Sequence, residues 1–211
     1  MPRSETQAVP KWFGDALERE LRSWLSLTDR QIRLLHRHYE FLELWNKKIN
    51  LTTVAPGLQT VIRHYCESLF FGAHLPGNPQ TASIADVGSG AGFPGIPLAI
   101  LNDKWRIALI ESNHRKAVFL REASRELANV SVIASRAEDI SAEFDWMVSR
   151  AVDSAEVIKN ARRLAAQIGL MLSESDFSRI KSTPGIAWSK AIQLPWGDRR
   201  ICAYGVVSRG T

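Results

Sequence analysis

Three glycines alternate in the segment VGSGAGFPG, which includes the carboxyl end of a short apolar run that contains Asp86. The glycines are Gly88, Gly90 and Gly92, and a helical pattern begins near Pro94. Glycine adds no side chain and tolerates positive φ, so such a loop lets a ligand lie against bare backbone at the start of a helix. The segment therefore predicts a ligand-binding turn between a strand and a helix.

Two classes of cofactor fit this glycine loop. Gly90, Gly92 and Gly95 satisfy the GxGxxG pattern of dinucleotide-binding folds, and Glu111 follows at about the distance of a ribose-binding acid. The Asp86 carboxylate would repel a pyrophosphate, whereas it attracts the ammonium and sulfonium of S-adenosylmethionine in a partly desolvated cleft. A helical pattern over about 80 residues also precedes the loop. We therefore expect S-adenosylmethionine, with a nicotinamide-dependent oxidoreductase as the alternative.

Further cofactor contacts are expected where the second and third predicted strands end. A carboxylate at Glu111 can accept hydrogen bonds from both ribose hydroxyls, because the carboxyl ends of strands line the crevice in such sheets. The alternative is a surface acid. The segment after the third strand is expected beside the adenine. The predicted cofactor contacts are Asp86, Gly88, Ser89, Gly90, Gly92, Phe93, Glu111, Ser112, Arg136, Ala137, Glu138 and Arg150.

The elements that position these residues alternate after residue 80 between short apolar strands and helical segments, which is typical of a parallel sheet covered on both faces. Two further strands are expected near the carboxyl terminus. The pattern predicts an α/β, Rossmann-like fold with a mostly parallel seven-stranded sheet. The first five strands are predicted at residues 83–88, 106–111, 130–135, 145–150 and 168–173.

Helices are predicted before the sheet, at 11–25, from Thr28 to about Ile49, and at 58–73. The second has apolar residues at spacings of three and four, and Thr28 with Gln31 forms a capping box at its start. The segment 75–80 reads as a linker. We therefore predict a helical extension over 1–80, packed on a core over 81–211.

Composition narrows the class of protein. The 211 residues carry 27 Lys and Arg against 22 Asp and Glu, a formal charge of +5, which suits a polyanionic partner such as nucleic acid. Cys66 and Cys202 are far apart, so neither a zinc site nor a disulfide framework is indicated. No stretch approaches the roughly 20 apolar residues of a membrane span. We expect a cytoplasmic monomer with no metal and no membrane partner.

Several segments together resemble the ribosomal RNA small subunit methyltransferase G family, also called glucose-inhibited division protein B. The resemblance implies a class I S-adenosylmethionine-dependent methyltransferase fold. It also implies methylation of guanine N7 in the decoding-region loop of 16S rRNA, within the small ribosomal subunit or its precursor. The segments are DVGSGAGFPGIPLAI from Asp86, KAVFL from Lys116, SRAED from Ser135, VSRAV from Val148, WNKKINLT from Trp45 and RHYCESL from Arg63.

The chain departs from the family pattern in two places. Glu67 stands where the family usually has Asp. Ser173 and Glu174 stand where it usually has a Lys-Gly pair after the fifth strand, which exchanges a cation for an anion at the rim of the expected cleft. A retargeted or inactive paralogue that binds RNA or assists ribosome assembly is therefore a second hypothesis.

The implied reaction needs no general base, because guanine N7 carries a free lone pair in the neutral base. Holding the reacting atoms in line can lower the barrier by roughly 7 to 11 kcal/mol. Arg150 ends the fourth predicted strand, where its guanidinium can bind guanine O6 or a phosphate, and we predict it as the catalytic residue. A salt bridge to the following helix is the alternative.

Further substrate contacts are predicted at Arg63 and His64, on the helical side of the cleft, and at Arg199. A packing role is the alternative for His64. The resemblance matches Arg136 and Arg199 to basic positions of the family, so both are also candidates for contact with RNA or cofactor.

Overall fold

The computed structural model describes residues 8–150, 154–197 and 199–208. Helical segments precede the sheet, and a capping box begins the second: the Thr28 side chain accepts from the Gln31 N–H, and the Gln31 side chain accepts in return. This confirms the predicted start. The third segment contains a π-helical turn, Val61–Cys66, that the sequence pattern did not indicate. The helices are α1 (Lys11–Leu21), α2 (Asp29–Asn46), α3 (Leu58–Thr60) and α4 (Glu67–Ala73).

A seven-stranded sheet follows, in the order β3-β2-β1-β4-β5-β7-β6. The first five strands are parallel, and β7 runs antiparallel between β5 and β6. This confirms the predicted Rossmann-like sheet; the third strand ends two residues earlier than expected, at Ile133. The strands are β1 (Ala82–Val87), β2 (Trp105–Ile110), β3 (Val130–Ile133), β4 (Phe144–Arg150), β5 (Ala165–Ser173), β6 (Ile186–Gln193) and β7 (Arg200–Val207).

Helices cover both faces of the sheet, and successive residues of β1 show the division. Ile84 packs in a core that includes residues of α1, α2 and α4, whereas Ala85 packs in a core with the following helices of the other face. The helices before residue 80 therefore share one apolar core with the sheet. None of the described helices is long and apolar enough to cross a membrane. The later helices are α5 (Gly95–Leu101), α6 (His114–Ala123), α7 (Ser154–Leu164) and α8 (Glu174–Ile180).

Candidate active site

The glycine loop joins β1 to α5 and presents bare backbone. Gly88, Gly90 and Gly92 have φ values of 73°, 55° and 89°, in the left-handed region that favours glycine. The N–H groups of Gly88 and Ser89 donate to the Ile110 carbonyl, which ties the loop to the end of β2. At Gly90, a Cβ would find only the Gly88 carbonyl oxygen within 4 Å, at 3.7 Å. The loop therefore leaves open space beside its backbone.

Asp86 lies beneath this loop rather than in an open cleft. Its side chain is fully buried, and Oδ2 accepts a hydrogen bond from the Gly95 N–H at 3.0 Å. Oδ1 has no hydrogen-bond partner within the described residues. Burial raises the pKa of Asp86 to about 7. The sequence predicted this carboxylate in a partly desolvated cleft; the structure instead encloses it between the loop and the start of α5.

Glu111, the first residue after β2, binds the glycine loop through its side chain. Its Oε2 accepts from the Gly90 N–H at 2.9 Å, and its Oε1 accepts from the Asn113 N–H at 2.8 Å. The side chain is largely buried, and the next residue, Ser112, is exposed. Each carboxylate oxygen can accept a second hydrogen bond, so both remain able to bind ribose hydroxyls.

The turn after β3 lies at the same edge of the sheet. Arg136 and Glu138 are exposed, with 3.9 Å between their charged groups, whereas Ala137 is buried. The Arg163 guanidinium of α7 donates to the Ala137 and Ile140 carbonyls. The turn is thus held by its carbonyls, and its two charged side chains face outward.

Four residues form an ionic group around the buried Glu67 beside the end of β4, here called the arginine cluster: Arg63, Glu67, Arg150 and Arg200. Glu67 Oε2 lies 3.0 Å from Arg150 Nη2, and Glu67 Oε1 lies 2.7 Å from Arg200 Nη1. Arg63 Nε is 3.8 Å from Glu67 Oε1. One carboxylate therefore faces three guanidiniums, which leaves the cluster with an excess of positive charge.

The charge state of the cluster follows from burial and mutual attraction. Burial raises the pKa of Glu67, and the guanidiniums of Arg150, Arg200 and Arg63 oppose that rise. Burial also lowers the pKa of Arg150 to about 10, so its guanidinium stays protonated at neutral pH. Arg150 Nη1 and Arg63 Nε are buried donors with no hydrogen-bond partner within the described residues. Such donors favour binding of an acceptor-rich group.

His64 connects the arginine cluster to the glycine loop. Its ring stacks on Phe93 with centroids 4.7 Å apart and planes at 17°, and its Nε2 lies 2.7 Å from Thr52 Oγ1. Burial lowers the pKa of His64 to about 3, and the guanidiniums of the arginine cluster add to this effect. The imidazole is therefore neutral. Its Nδ1 is buried without a partner in the described part of the chain.

The structure brings Arg63, His64 and Arg150 together as predicted candidates, but it adds Arg200 rather than Arg199. Arg199 is exposed, with φ 57°, and its carbonyl accepts from the Glu174 N–H. The salt bridge considered for Arg150 also exists, although its partner belongs to a preceding helix instead of the following one. Sequence reasoning missed the role of Glu67; an acid within an apolar helical stretch, four residues after Arg63, was the available signal.

Ser173 and Glu174 begin α8. Ser173 Oγ accepts from the Asp176 N–H at 3.0 Å and so caps the helix, while the Glu174 side chain is exposed. The departure from the Lys-Gly pair thus has a local structural role. In residues 8–150, 154–197 and 199–208, no group of three or more His, Cys, Asp or Glu side chains could hold a metal ion.

Comparison with known proteins identifies similar chains. Residues 31–174 match the family model of the rRNA small subunit methyltransferase G. The ribosomal RNA small subunit methyltransferase G of Nitrosospira multiformis is 40% identical over 148 residues, 68% of this chain and 67% of that protein. The protein of the same name from Chromobacterium violaceum is 40% identical over 150 residues, 69% of this chain and 70% of that protein.

The fold also has counterparts among solved structures. Aeropyrum pernix fibrillarin, solved with natively bound S-adenosyl-L-methionine, superposes with a TM-score of 0.56. The match covers 70% of this chain and 76% of that chain, at 18% sequence identity. Likeness at this identity shows the fold alone, which is that of the class I methyltransferases.

Proposed function

Because this chain belongs to the ribosomal RNA small subunit methyltransferase G family, we propose that it transfers a methyl group from S-adenosylmethionine to N7 of a guanine in the decoding-region loop of 16S rRNA. One observation carries the proposal for the site. Val87 pairs with Ser149 in the parallel register of β1 and β4, so the glycine loop and Arg150 begin side by side at one edge of the sheet.

The residues at this edge suit the methyl donor. Bare backbone at Gly90 accommodates a ligand, Glu111 offers carboxylate oxygens to ribose hydroxyls, and Asp86 in its ionised form favours positive charge across the loop. When bound, S-adenosylmethionine supplies an electrophilic methyl group on a sulfonium. We assign the ribose to Glu111 and the donor's cationic end to the side of the loop above Asp86.

The arginine cluster suits the nucleic acid. Its excess positive charge and its unpartnered donors Arg150 Nη1 and Arg63 Nε fit guanine O6 or a phosphate of the target nucleotide. An N7 bound by arginine could not attack, so we assign the guanidinium to O6 or phosphate. The N7 lone pair then forms the new bond to the methyl carbon while the bond from carbon to sulfur breaks, and the positive charge passes to the guanine.

No proton leaves the base in this step, so the neutral His64 and the buried Asp86 need not act as bases. The contribution of the protein is orientation of the two reactants. The net charge of +5 favours association with RNA through its phosphates. We further propose that the substrate is the small ribosomal subunit or its precursor in the cytoplasm, and that one copy of the chain acts alone.

The test is a methylation assay with purified protein, radiolabelled S-adenosylmethionine and small subunits that lack the modification, with naked 16S rRNA as a parallel substrate. Label in 16S rRNA, recovered as 7-methylguanosine by mass spectrometry of nucleosides, is the expected result. Label in the particle but not in naked RNA would support the assembled substrate. Label confined to protein or to another atom of guanine would reject the proposal.

A further inference from the structure

A buried histidine connects the helical extension to the glycine loop. His38 of α2 is almost fully buried; its Nε2 lies 3.0 Å from the Ala91 carbonyl oxygen, and its Nδ1 lies 2.9 Å from the Tyr65 hydroxyl. Ala91 is the residue between Gly90 and Gly92. The contact therefore reaches the centre of the loop from outside the sheet.

The direction of both hydrogen bonds follows from chemistry. A carbonyl oxygen only accepts, so His38 Nε2 must carry the proton and donate to Ala91. Burial lowers the pKa of His38 to about 4, so the imidazole is neutral and Nδ1 has a free lone pair. Tyr65 must then donate its hydroxyl proton to Nδ1. Both hydrogen bonds therefore run in the same direction: Tyr65 donates to His38, and His38 donates to the Ala91 carbonyl of the loop.

The loop needs such a tether because glycine lets its backbone sample many conformations. Gly90 and Gly92 flank Ala91 with φ values of 55° and 89°, and fixing flexible residues costs conformational entropy. A hydrogen bond to the intervening carbonyl fixes the orientation of the peptide plane between Ala91 and Gly92. A loop already held in one conformation loses less entropy when a ligand binds.

Aromatic packing supports the same segment of the loop. The Phe93 ring lies 5.2 Å from the His38 ring and 5.1 Å from the Tyr65 ring, with the planes near perpendicular, and it stacks on His64. A Cβ at Gly92 would lie 3.4 Å from His38 Nε2, so α2 approaches the loop closely. The rings and the hydrogen bond thus hold the loop on its extension side.

We propose that His38 is a positioning residue that holds the glycine loop in its ligand-binding conformation through the Ala91 carbonyl, with Tyr65 fixing its tautomer. This inference rests on the proposed use of S-adenosylmethionine. It assigns to the helical extension a part in cofactor affinity, although His38 itself touches the loop and not the cofactor.

Two variants of His38 separate this role from general packing. In His38→Gln the side-chain amide nitrogen can take the place of Nε2 and still donate to Ala91, whereas in His38→Asn the shorter side chain falls short of the carbonyl. Isothermal titration of S-adenosylmethionine should show affinity reduced about threefold to tenfold for His38→Asn, the usual effect of one hydrogen bond. His38→Gln should stay nearer to the unmodified protein.

Tyr65→Phe has a matched control in Tyr39→Phe. The Tyr39 hydroxyl accepts from the Gly57 N–H and its ring packs in the same aromatic group, but its hydrogen bond does not lead to the loop. We expect Tyr65→Phe to weaken S-adenosylmethionine binding and to raise the KM for it with little change in kcat. Tyr39→Phe should change thermal stability alone.

The outcomes distinguish this inference from the proposed function. If the unmodified protein does not bind S-adenosylmethionine, the proposed function fails. If it binds, but the two His38 variants have equal affinity or Tyr39→Phe weakens binding as much as Tyr65→Phe, the positioning role fails. Thermal melting identifies any variant that is simply unfolded. If one pair of variants is lost in this way, the other pair still tests the positioning role.

Discussion

Glu67 Oε2 and Arg150 Nη2 lie 3.0 Å apart, although Glu67 begins a helix before the sheet and Arg150 ends its fourth strand. The same carboxylate reaches Arg200, which starts β7. One buried acid therefore joins the helical extension to two strands at the edge where the glycine loop lies. We therefore expect the position of each guanidinium to depend on that acid.

Glu67→Gln should destabilise the fold and misplace the arginines, because it leaves buried guanidiniums without a counter-charge. Breaking a buried ion pair in this way typically costs about 3 to 5 kcal/mol, measurable by urea unfolding. Glu67→Asp retains the charge and should lose less. Glu122→Gln, which removes an exposed partner of Arg125, is the control and should cost under about 1 kcal/mol. Equal losses for Glu67→Gln and the control would refute the role of the acid.

Arg150→Lys should lower the rate of methyl transfer at saturating S-adenosylmethionine by about tenfold to a hundredfold, because a lysine ammonium cannot hold Glu67 and the nucleotide at once in the fixed planar geometry of the guanidinium. Calorimetry should show donor affinity nearly unchanged. Arg106→Lys serves as the control, since Arg106 is exposed near the opposite, amino end of β2. A parallel fall in rate and donor affinity would instead assign Arg150 to the cofactor or to the fold.

Gly90→Ala should weaken S-adenosylmethionine binding by about tenfold or more, roughly 1.4 kcal/mol, because its methyl group would enter the open space beside the loop. Gly77→Ala is a matched control with φ 76° and nothing within 4 Å of its Cβ position. Both variants force alanine into the left-handed region at a cost of about 1 to 2 kcal/mol in stability. If both lose affinity equally, or neither does, the loop is not where the donor lies.

His64→Gln should weaken the pH dependence of the free energy of unfolding at acid pH. The pKa of His64 is about 3 in the folded protein against 6.5 as its ordinary value, so the unfolded chain binds the extra proton between these limits. Stability therefore rises with pH from about 3 to 6.5 and is fully present above that range. Urea titrations between pH 4 and 6 should show the slope reduced by about 1.4 kcal/mol per pH unit in the variant. An unchanged slope would show that His64 is not held neutral.

Glu174→Lys should strengthen RNA binding, because it replaces an exposed anion by a cation. The new cation would stand beside Arg199, whose carbonyl accepts from the N–H of residue 174. The plot of log affinity against log salt should steepen by about one unit if the new lysine meets a phosphate. Ser173 is kept so that the cap of α8 remains. Glu143 is another exposed acid, and Glu143→Lys tests whether any gain of positive charge has the same effect. Equal slopes for the two variants would show that the position of Glu174 is not the cause.

Features that depend on residues close together in the chain could be predicted from the sequence. The capping box of Thr28 and Gln31 and the alternation of strands with helices each depend on a few residues in a row, and the structure confirms them. The end of α1 was less well predicted: the helix stops at Leu21 rather than near residue 25. Local pattern is weak there because helix ends depend on packing.

Contacts between segments that are far apart in the chain could not be predicted from the sequence. Glu67 and Arg200 are separated by 133 residues, and nothing near either residue identifies the other. The choice of Arg200 over its neighbour Arg199 depends on the direction in which β7 enters the sheet. The enclosure of Asp86 was missed for a related reason: the sequence shows a charge at a strand end, whereas only the three-dimensional packing of α5 shows that water is excluded from it.

The place of β7 between β5 and β6 ties the arginine cluster to the last strand of the sheet. β6 and β7 are antiparallel neighbours that follow one another in the chain, so they form a hairpin that joins the rest of the sheet through the pairing of β7 with β5. Arg200, at the start of β7, is the nearest guanidinium partner of Glu67. Loss of this hairpin would keep the glycine loop but remove one cation from the surface proposed for RNA.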